Sequence, residues 1–204
     1  MGFTSRRKRP LDRTITHLRD TSLVVIATEG AKTEKQYFES DLFRNSRVQV
    51  KVIETLDNRS APNHVFSRMK DFAKETQLEN DDQLWLVVDK DRWTEHSLRE
   101  ICSKSLNRKI QIQVAVSNPC FELWLYLHHA KWVDGRVSSD RMKDALRKLL
   151  GGYNSSKLDV SQYNESNLKM AIEHSKILNT DGRWPENPGT KVYEVVESIH
   201  QLCL

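Results

Sequence analysis

Leu84-Trp85-Leu86-Val87-Val88-Asp89-Lys90-Asp91 is the stretch that orders the rest of the chain. Its five consecutive apolar residues have the length and unbroken hydrophobicity of a parallel strand buried on both faces. The strand runs directly into two carboxylates one residue apart. In an open α/β sheet the carboxyl ends of the strands form the ligand-binding edge, so such a strand delivers negative charge to the mouth of the sheet. A second delivery lies upstream, where Leu23-Val24-Val25-Ile26-Ala27-Thr28 ends at Glu29-Gly30.

Between and around these two strands the hydrophobic period switches repeatedly. Gly30 permits a tight exit, and Thr33-Glu34-Lys35-Gln36 fits a capping box that opens a helix predicted to about Arg44. Val48, Val50 and Val52 alternate with polar residues and predict a strand. After the punctuation Asp57-Asn58-Arg59-Ser60-Ala61-Pro62, the residues Val65, Phe66, Met69, Phe72 and Ala73 follow helical spacing. Thr94 is placed to cap a helix carrying Leu98, Ile101 and Cys102, and Ile110, Ile112, Val114 and Val116 alternate as a fourth strand.

Strand and helix in strict alternation predict an α/β domain, a four-stranded mostly parallel sheet flanked by helices, over residues 21–117. From 118 to 204 the pattern becomes helical and predicts an extension packed on that core. Its helices are expected at Phe121–Ala130, Arg141–Leu150 with Gly151-Gly152 as a stop, Asn167–Leu178 and Thr190–Leu202. The turn Trp184-Pro185-Glu186-Asn187-Pro188-Gly189 separates the last two.

The 204 residues are 38% hydrophobic, and no run approaches the roughly 20 apolar residues that cross a bilayer. No apolar signal core follows the N-terminus, so a cytoplasmic location and no membrane contact are expected. Cys102, Cys120 and Cys203 are far apart and lack any CxxC spacing, which argues against structural zinc and a disulfide framework. Of 32 basic and 28 acidic residues, five basic and one acidic fall in the first 13, leaving 27 of each elsewhere. The net charge of +4 therefore belongs to an N-terminal arm, residues 1–20, with Arg6, Arg7, Lys8 and Arg9 at its centre. Such an arm lies along nucleic-acid phosphates or is simply a solvated terminus.

Glu29, Asp89 and Asp91 converge on one edge if their strands are neighbours, and three hard carboxylate oxygens suit Mg²⁺ or Mn²⁺ together with water and a phosphodiester. Lys32 and Lys90 are candidates to neutralise a phosphoryl group, or else ordinary surface lysines. The dense stretch Ser117-Asn118-Pro119-Cys120-Phe121-Glu122-Leu123-Trp124-Leu125-Tyr126-Leu127-His128-His129 begins at the same edge. Ser117, Asn118 and Glu122 are therefore candidates for the crevice; helix capping by the first two and dipole stabilisation by the third are the competing explanations. His128 shares a helix face with Trp124, either as base or ligand or as a hydrogen-bonded core residue.

Taken together, Ala27-Thr28-Glu29-Gly30 with Thr33-Glu34 and Tyr37-Phe38, Trp85 to Asp91, Ser117 to Leu125, and Asn187-Pro188-Gly189-Thr190-Lys191-Val192-Tyr193 resemble the RloB family in four ordered blocks. The resemblance spans about residues 20–200 and implies a Toprim-like domain, in which Glu29, Asp89 and Asp91 bind Mg²⁺ and act on phosphodiesters. It also implies an effector nuclease of restriction or abortive-infection loci, acting on tRNA or DNA and paired with an ABC-type ATPase. No tyrosine or serine is positioned as a covalent nucleophile, so strand passage is not expected. The expected activity is metal-dependent cleavage, with Glu122 as a further acidic catalytic group. A non-catalytic nucleic-acid-binding or sensor subunit, and a nucleotidyl or phosphoryl transferase, are the alternatives.

Overall fold

The computed structural model describes residues 21–30, 32–53, 62–90, 93–103, 111–178 and 182–203. The basic arm, the loop at 57–61, Asp91 and Ile110 lie outside the described residues. The elements follow in the order β1 (Ser22–Thr28), α1 (Thr33–Phe38), β2 (Val48–Ile53), α2 (Pro62–Glu75), β3 (Gln83–Asp89), α3 (Glu95–Ser103), β4 (Ile112–Asn118), α4 (Glu122–Leu127), α5 (Ser139–Leu149), α6 (Glu165–Leu178), β5 (Gly189–Thr190) and α7 (Val192–Leu202).

The strands make one five-stranded sheet in the order β2-β1-β3-β4-β5. The first four are parallel, and β5 joins antiparallel with Ser117 opposite Thr190 and Asn118 opposite Gly189. The expected fourfold count is thus one short. Two residues, Gly and Thr, carry no period that would mark a strand, and the expected helix start at Thr190 shifts to Val192.

Each central strand is apolar on both faces, as a parallel strand covered on both sides must be. Val24 and Ile26 of β1, with Trp85 and Val87 of β3, face a core built with α1, α4, α5, α6 and α7. Leu23, Val25 and Ala27, with Leu84, Leu86 and Val88, face a second core with α2 and α3. The helical C-terminal part therefore covers one whole face of the sheet. Trp124, Leu123 and Leu125 of α4 are fully buried there.

Local chemistry explains the departures at element ends. The capping box does not form: Thr33 Oγ1 donates to the Ser155 carbonyl at 2.7 Å, and Gln36 Nε2 donates to the Lys32 carbonyl at 2.9 Å. Helix α1 stops at Phe38 because Ser40 Oγ donates back to the Tyr37 carbonyl at 2.7 Å, and a single 3₁₀ turn at Asp41–Phe43 replaces the expected continuation. The Thr94 cap does form, its Oγ1 accepting from Ser97 N at 3.1 Å. Gly151, at φ +67°, ends α5 in the left-handed region that favours glycine.

At the amino edge the buried Asp82 carboxylate accepts from Leu23 N at 2.8 Å and Glu79 N at 2.7 Å, tying the start of β1 to β3. Among the described residues no helix is long and apolar enough to cross a membrane.

Candidate functional site

Strand order reverses between β1 and β3: the chain leaves β1 for β2 on one side, then crosses to β3 and β4 on the other. That reversal splays the connections apart and opens a crevice at the carboxyl edge, the usual ligand site of such sheets. Glu29 leaves β1 and Asp89 ends β3 at this point. The parallel register sets Thr28 beside Val87, and Glu29 N donates to the Val87 carbonyl at 3.2 Å, carrying the pairing one residue further. The two acids are therefore neighbours across adjacent strands.

Glu29 is buried and held. Its Oε2 accepts from Asp89 N at 3.3 Å and from Trp93 Nε1 at 3.1 Å. Arg68 of α2 donates to the Thr28 carbonyl at 3.1 Å, and Thr28 Oγ1 donates to the Gly30 carbonyl at 2.7 Å, so the turn after β1 is braced from both sides.

A cleft of about 280 Å³ opens over these residues, lined by Glu29, Glu34, Asp89 and Glu122 together with Lys32, Thr33, Lys143, Ser155 and Ser156. Glu34 was visible in the sequence only as part of a capping pattern. In the fold its Oε1 accepts from Gly30 N at 3.2 Å, and the side chain is buried. Burial, reinforced by the charges of Glu122 and Glu29, pushes its carboxyl up to about 7 despite lowering hydrogen bonds from backbone amides. The cue that would have found it is the closeness of an acid in the first helical turn to the Glu29-Gly30 exit.

Glu122 sits buried in the first turn of α4 and lines the same cleft. Its Oε1 accepts from Tyr153 Oη at 3.0 Å and lies 4.0 Å from Lys143 Nζ. Burial and the Glu122 charge push the Tyr153 hydroxyl well above the usual tyrosine range. Lys143 on α5 and Ser155–Ser156 line the cleft, and Tyr153 meets it through Glu122, all from segments that carry no motif of their own. The loop after α5 is docked on α1: besides the Thr33 bond, Gln36 Oε1 accepts from Leu158 N at 3.0 Å.

The remaining candidates are placed elsewhere or differently. Lys32 stands exposed at the cleft rim, while Lys90 pairs with Glu95 at 3.4 Å and is not among the lining residues. Ser117 is fully buried with its Oγ 2.8 Å from Thr190 Oγ1, and Asn118 Nδ2 donates to the Pro185 carbonyl at 3.1 Å. Both therefore hold β5 and the turn before it, and neither caps α4, whose N-cap position is Phe121. His128 is fully buried away from the cleft, its Nε2 3.0 Å from Tyr37 Oη, among the rings of Tyr37, Trp124 and Tyr163. Burial, with the neighbouring His129, pushes it down to about 3, so it is neutral at ordinary pH. Asp91, Arg6, Arg7, Lys8 and Arg9 lie outside the described residues.

Among the described residues no three His, Cys, Asp or Glu side chains are grouped as a complete ion cage. The donor chemistry at the strand ends nevertheless fits a hard divalent cation of the Mg²⁺ type. Such an ion takes one or two protein carboxylates and completes its shell with water and phosphate, and Glu29 and Asp89 supply oxygens only.

No curated protein and no solved structure matches this chain. A family model described as RloB-like protein matches residues 24–199, a span that includes Glu29, Glu34, Asp89, Glu122 and both walls of the cleft, and the chain belongs to the RloB-like family.

Proposed function

We propose that this chain is a divalent-metal-dependent nuclease that cleaves nucleic-acid phosphodiesters in the β1–β3 cleft. The observation that carries the reading is Glu29 and Asp89 side by side on adjacent parallel strands at the point where strand order reverses. Glu29 and Asp89, with Asp91 after them, are the residues that would hold Mg²⁺ or Mn²⁺. When bound, such an ion activates water and stabilises the leaving oxygen.

The protein's own part is preorganisation. Two N–H donors fix Glu29 Oε2 before any ligand arrives, so the acid need not be reoriented during the reaction. Glu34, its carboxyl raised to about 7, is only partly ionised near neutral pH in the metal-free cleft, which reduces the negative charge a phosphodiester must approach. Lys32 at the rim offers a cation to the incoming backbone.

Family membership extends the proposal to an effector role in phage defence, in the cytoplasm, on tRNA or DNA and with an ABC-type ATPase as partner. The reading is tested by incubating the purified chain with tRNA, single-stranded DNA and duplex DNA under Mg²⁺ or Mn²⁺. Cleavage is expected to need the metal and to fall by about a thousandfold or more in Glu29→Gln and Asp89→Asn, on the scale of losing transition-state charge stabilisation. Undiminished cleavage by both folded variants would sink it.

A second reading, a non-catalytic nucleic-acid-binding or sensor subunit, draws on the balance of 26 basic and 26 acidic residues beyond the arm. Metal-dependent cleavage that disappears in Asp89→Asn excludes it.

A further inference from the structure

We propose that Lys143, supplied by the helical C-terminal part, is the phosphate-contacting cation inside the cleft. The inference rests on the nuclease reading for the identity of its ligand, a nucleic-acid phosphodiester, and goes beyond it in assigning the contact.

The argument begins with charge. Among the described residues four acidic side chains line the cleft, from Glu29, Glu34, Asp89 and Glu122, and a phosphodiester is itself an anion. An anion enters such a site only beside compensating positive charge. Among the described residues the lining offers two cations, Lys32 and Lys143. Lys32 is exposed at the rim, where an ammonium is well hydrated and screened. Lys90, the other lysine near the strand ends, is engaged with Glu95 at 3.4 Å and lies outside the lining.

Lys143 differs in both setting and restraint. It projects from α5 on the wall that carries Glu122, and 42% of its side chain remains exposed, against 8% for Glu122. Its Nζ is 4.0 Å from Glu122 Oε1, close enough for attraction but beyond hydrogen-bond length. The same Glu122 oxygen already accepts the Tyr153 hydroxyl at 3.0 Å. Among the described residues Lys143 Nζ makes no hydrogen bond, so its three donors stay directed by an ion pair that does not consume them. Ser155 and Ser156, beside it on the lining, add polar groups of the kind that contact phosphate and sugar oxygens.

The test uses the full chain in an Asp89→Asn background, which blocks cleavage, with fluorescein-labelled single-stranded RNA and DNA 20-mers followed by anisotropy from 50 to 200 mM KCl. Lys143→Met is expected to weaken binding about tenfold and to flatten the log–log salt slope by about 0.7, the share of one single-strand phosphate contact. Lys143→Arg is expected to retain most of both. Equal affinity and slope in Lys143→Met overturn the assignment, as does absence of binding by the Asp89→Asn chain itself. Equal weakening by Lys143→Met and Lys143→Arg accompanied by a lowered unfolding midpoint also overturns it, because the role is then structural. A wild-type chain that binds through Lys143 but cleaves nothing under Mg²⁺ or Mn²⁺ leaves this assignment standing and removes the nuclease reading alone.

Discussion

The indole N–H of Trp93 donates to Glu29 Oε2 at 3.1 Å, and the amide of Asp89 donates to the same oxygen at 3.3 Å. One carboxylate oxygen thereby ties the residue after β1 to Asp89 at the end of β3 and to Trp93 four residues on. Trp93→Phe keeps an aromatic ring in the second core and removes the donor. It is expected to lower stability by about 1.5–3 kcal/mol, the worth of a buried hydrogen bond to a charged group, with an unchanged denaturant slope. If the acids hold the ion, Mn²⁺ affinity measured by titration should drop about tenfold or more, since a ligand has lost its orienting partner.

Glu34 supplies a pH signature. Its folded carboxyl stands at about 7, above the unfolded value, so between about 4.5 and 7 the folded state binds the proton more tightly and stability falls as pH rises. Glu34→Gln retains an acceptor for Gly30 N–H and removes the ionisation. In EDTA, the variant should match the wild type near pH 4.5 and exceed it by about 3 kcal/mol above pH 7, an order-of-magnitude figure from the size of the shift. Urea midpoints across pH 4.5–8 read this directly; a constant difference between the two proteins would refute it.

The contrast between Glu29 and Glu34 shows what a linear chain reveals. Glu29 and Asp89 were legible because each follows an unbroken apolar run, and buried parallel strands have that signature. Alternation of strands and helices leaves strand order open, so their adjacency is supplied by the fold, which sets β1 beside β3. Glu34, five residues beyond Glu29, reads in the sequence as helix-start chemistry, because only the folded turn aims the Gly30 amide at its carboxylate. Lys143 and Tyr153 carried no signal, since their role depends on how the loop after α5 docks on Thr33 and Gln36. His128 was ambiguous in the sequence for a related reason: helical spacing places it on the Trp124 face but does not say that Tyr37 closes over it.

Gly30 and Glu34 should be energetically coupled. A Cβ on residue 30 would overlap the Glu34 carboxylate, and moving that carboxylate away sacrifices its bond to the Gly30 amide. Gly30→Ala alone is expected to cost about 1 kcal/mol, the net worth of one hydrogen bond. In a Glu34→Ala background the same change should be neutral or slightly stabilising, because alanine restricts the unfolded chain. A double-mutant cycle by urea denaturation yields the coupling, and strict additivity would contradict the contact.

Tyr37→Phe removes the hydroxyl partner of a fully buried imidazole. The loss leaves His128 Nε2 unpaired and should destabilise the fold by about 1–3 kcal/mol without changing the cleft lining. For His128 itself the folded value of about 3 lies below the unfolded one, so the unfolded state takes up the proton first and stability is lost as pH falls from about 6.5 toward 3. NMR of the His128 ring should accordingly show no titration between pH 8 and 5.

The two-residue strand β5 has a bearing on synthesis. Ser117 meets Thr190 across a sequence separation of 73 residues, and α7, which follows at once, seals the sheet face that α4 begins to cover. A ribosome that has released only the first 118 residues has released both acids of the sheet edge without the Lys143 wall, the Tyr153 anchor or the final seam. Because domains complete their folding only once their last contacts emerge, an RloB-like chain of this design stays an unfinished tool until β5 and α7 have been made.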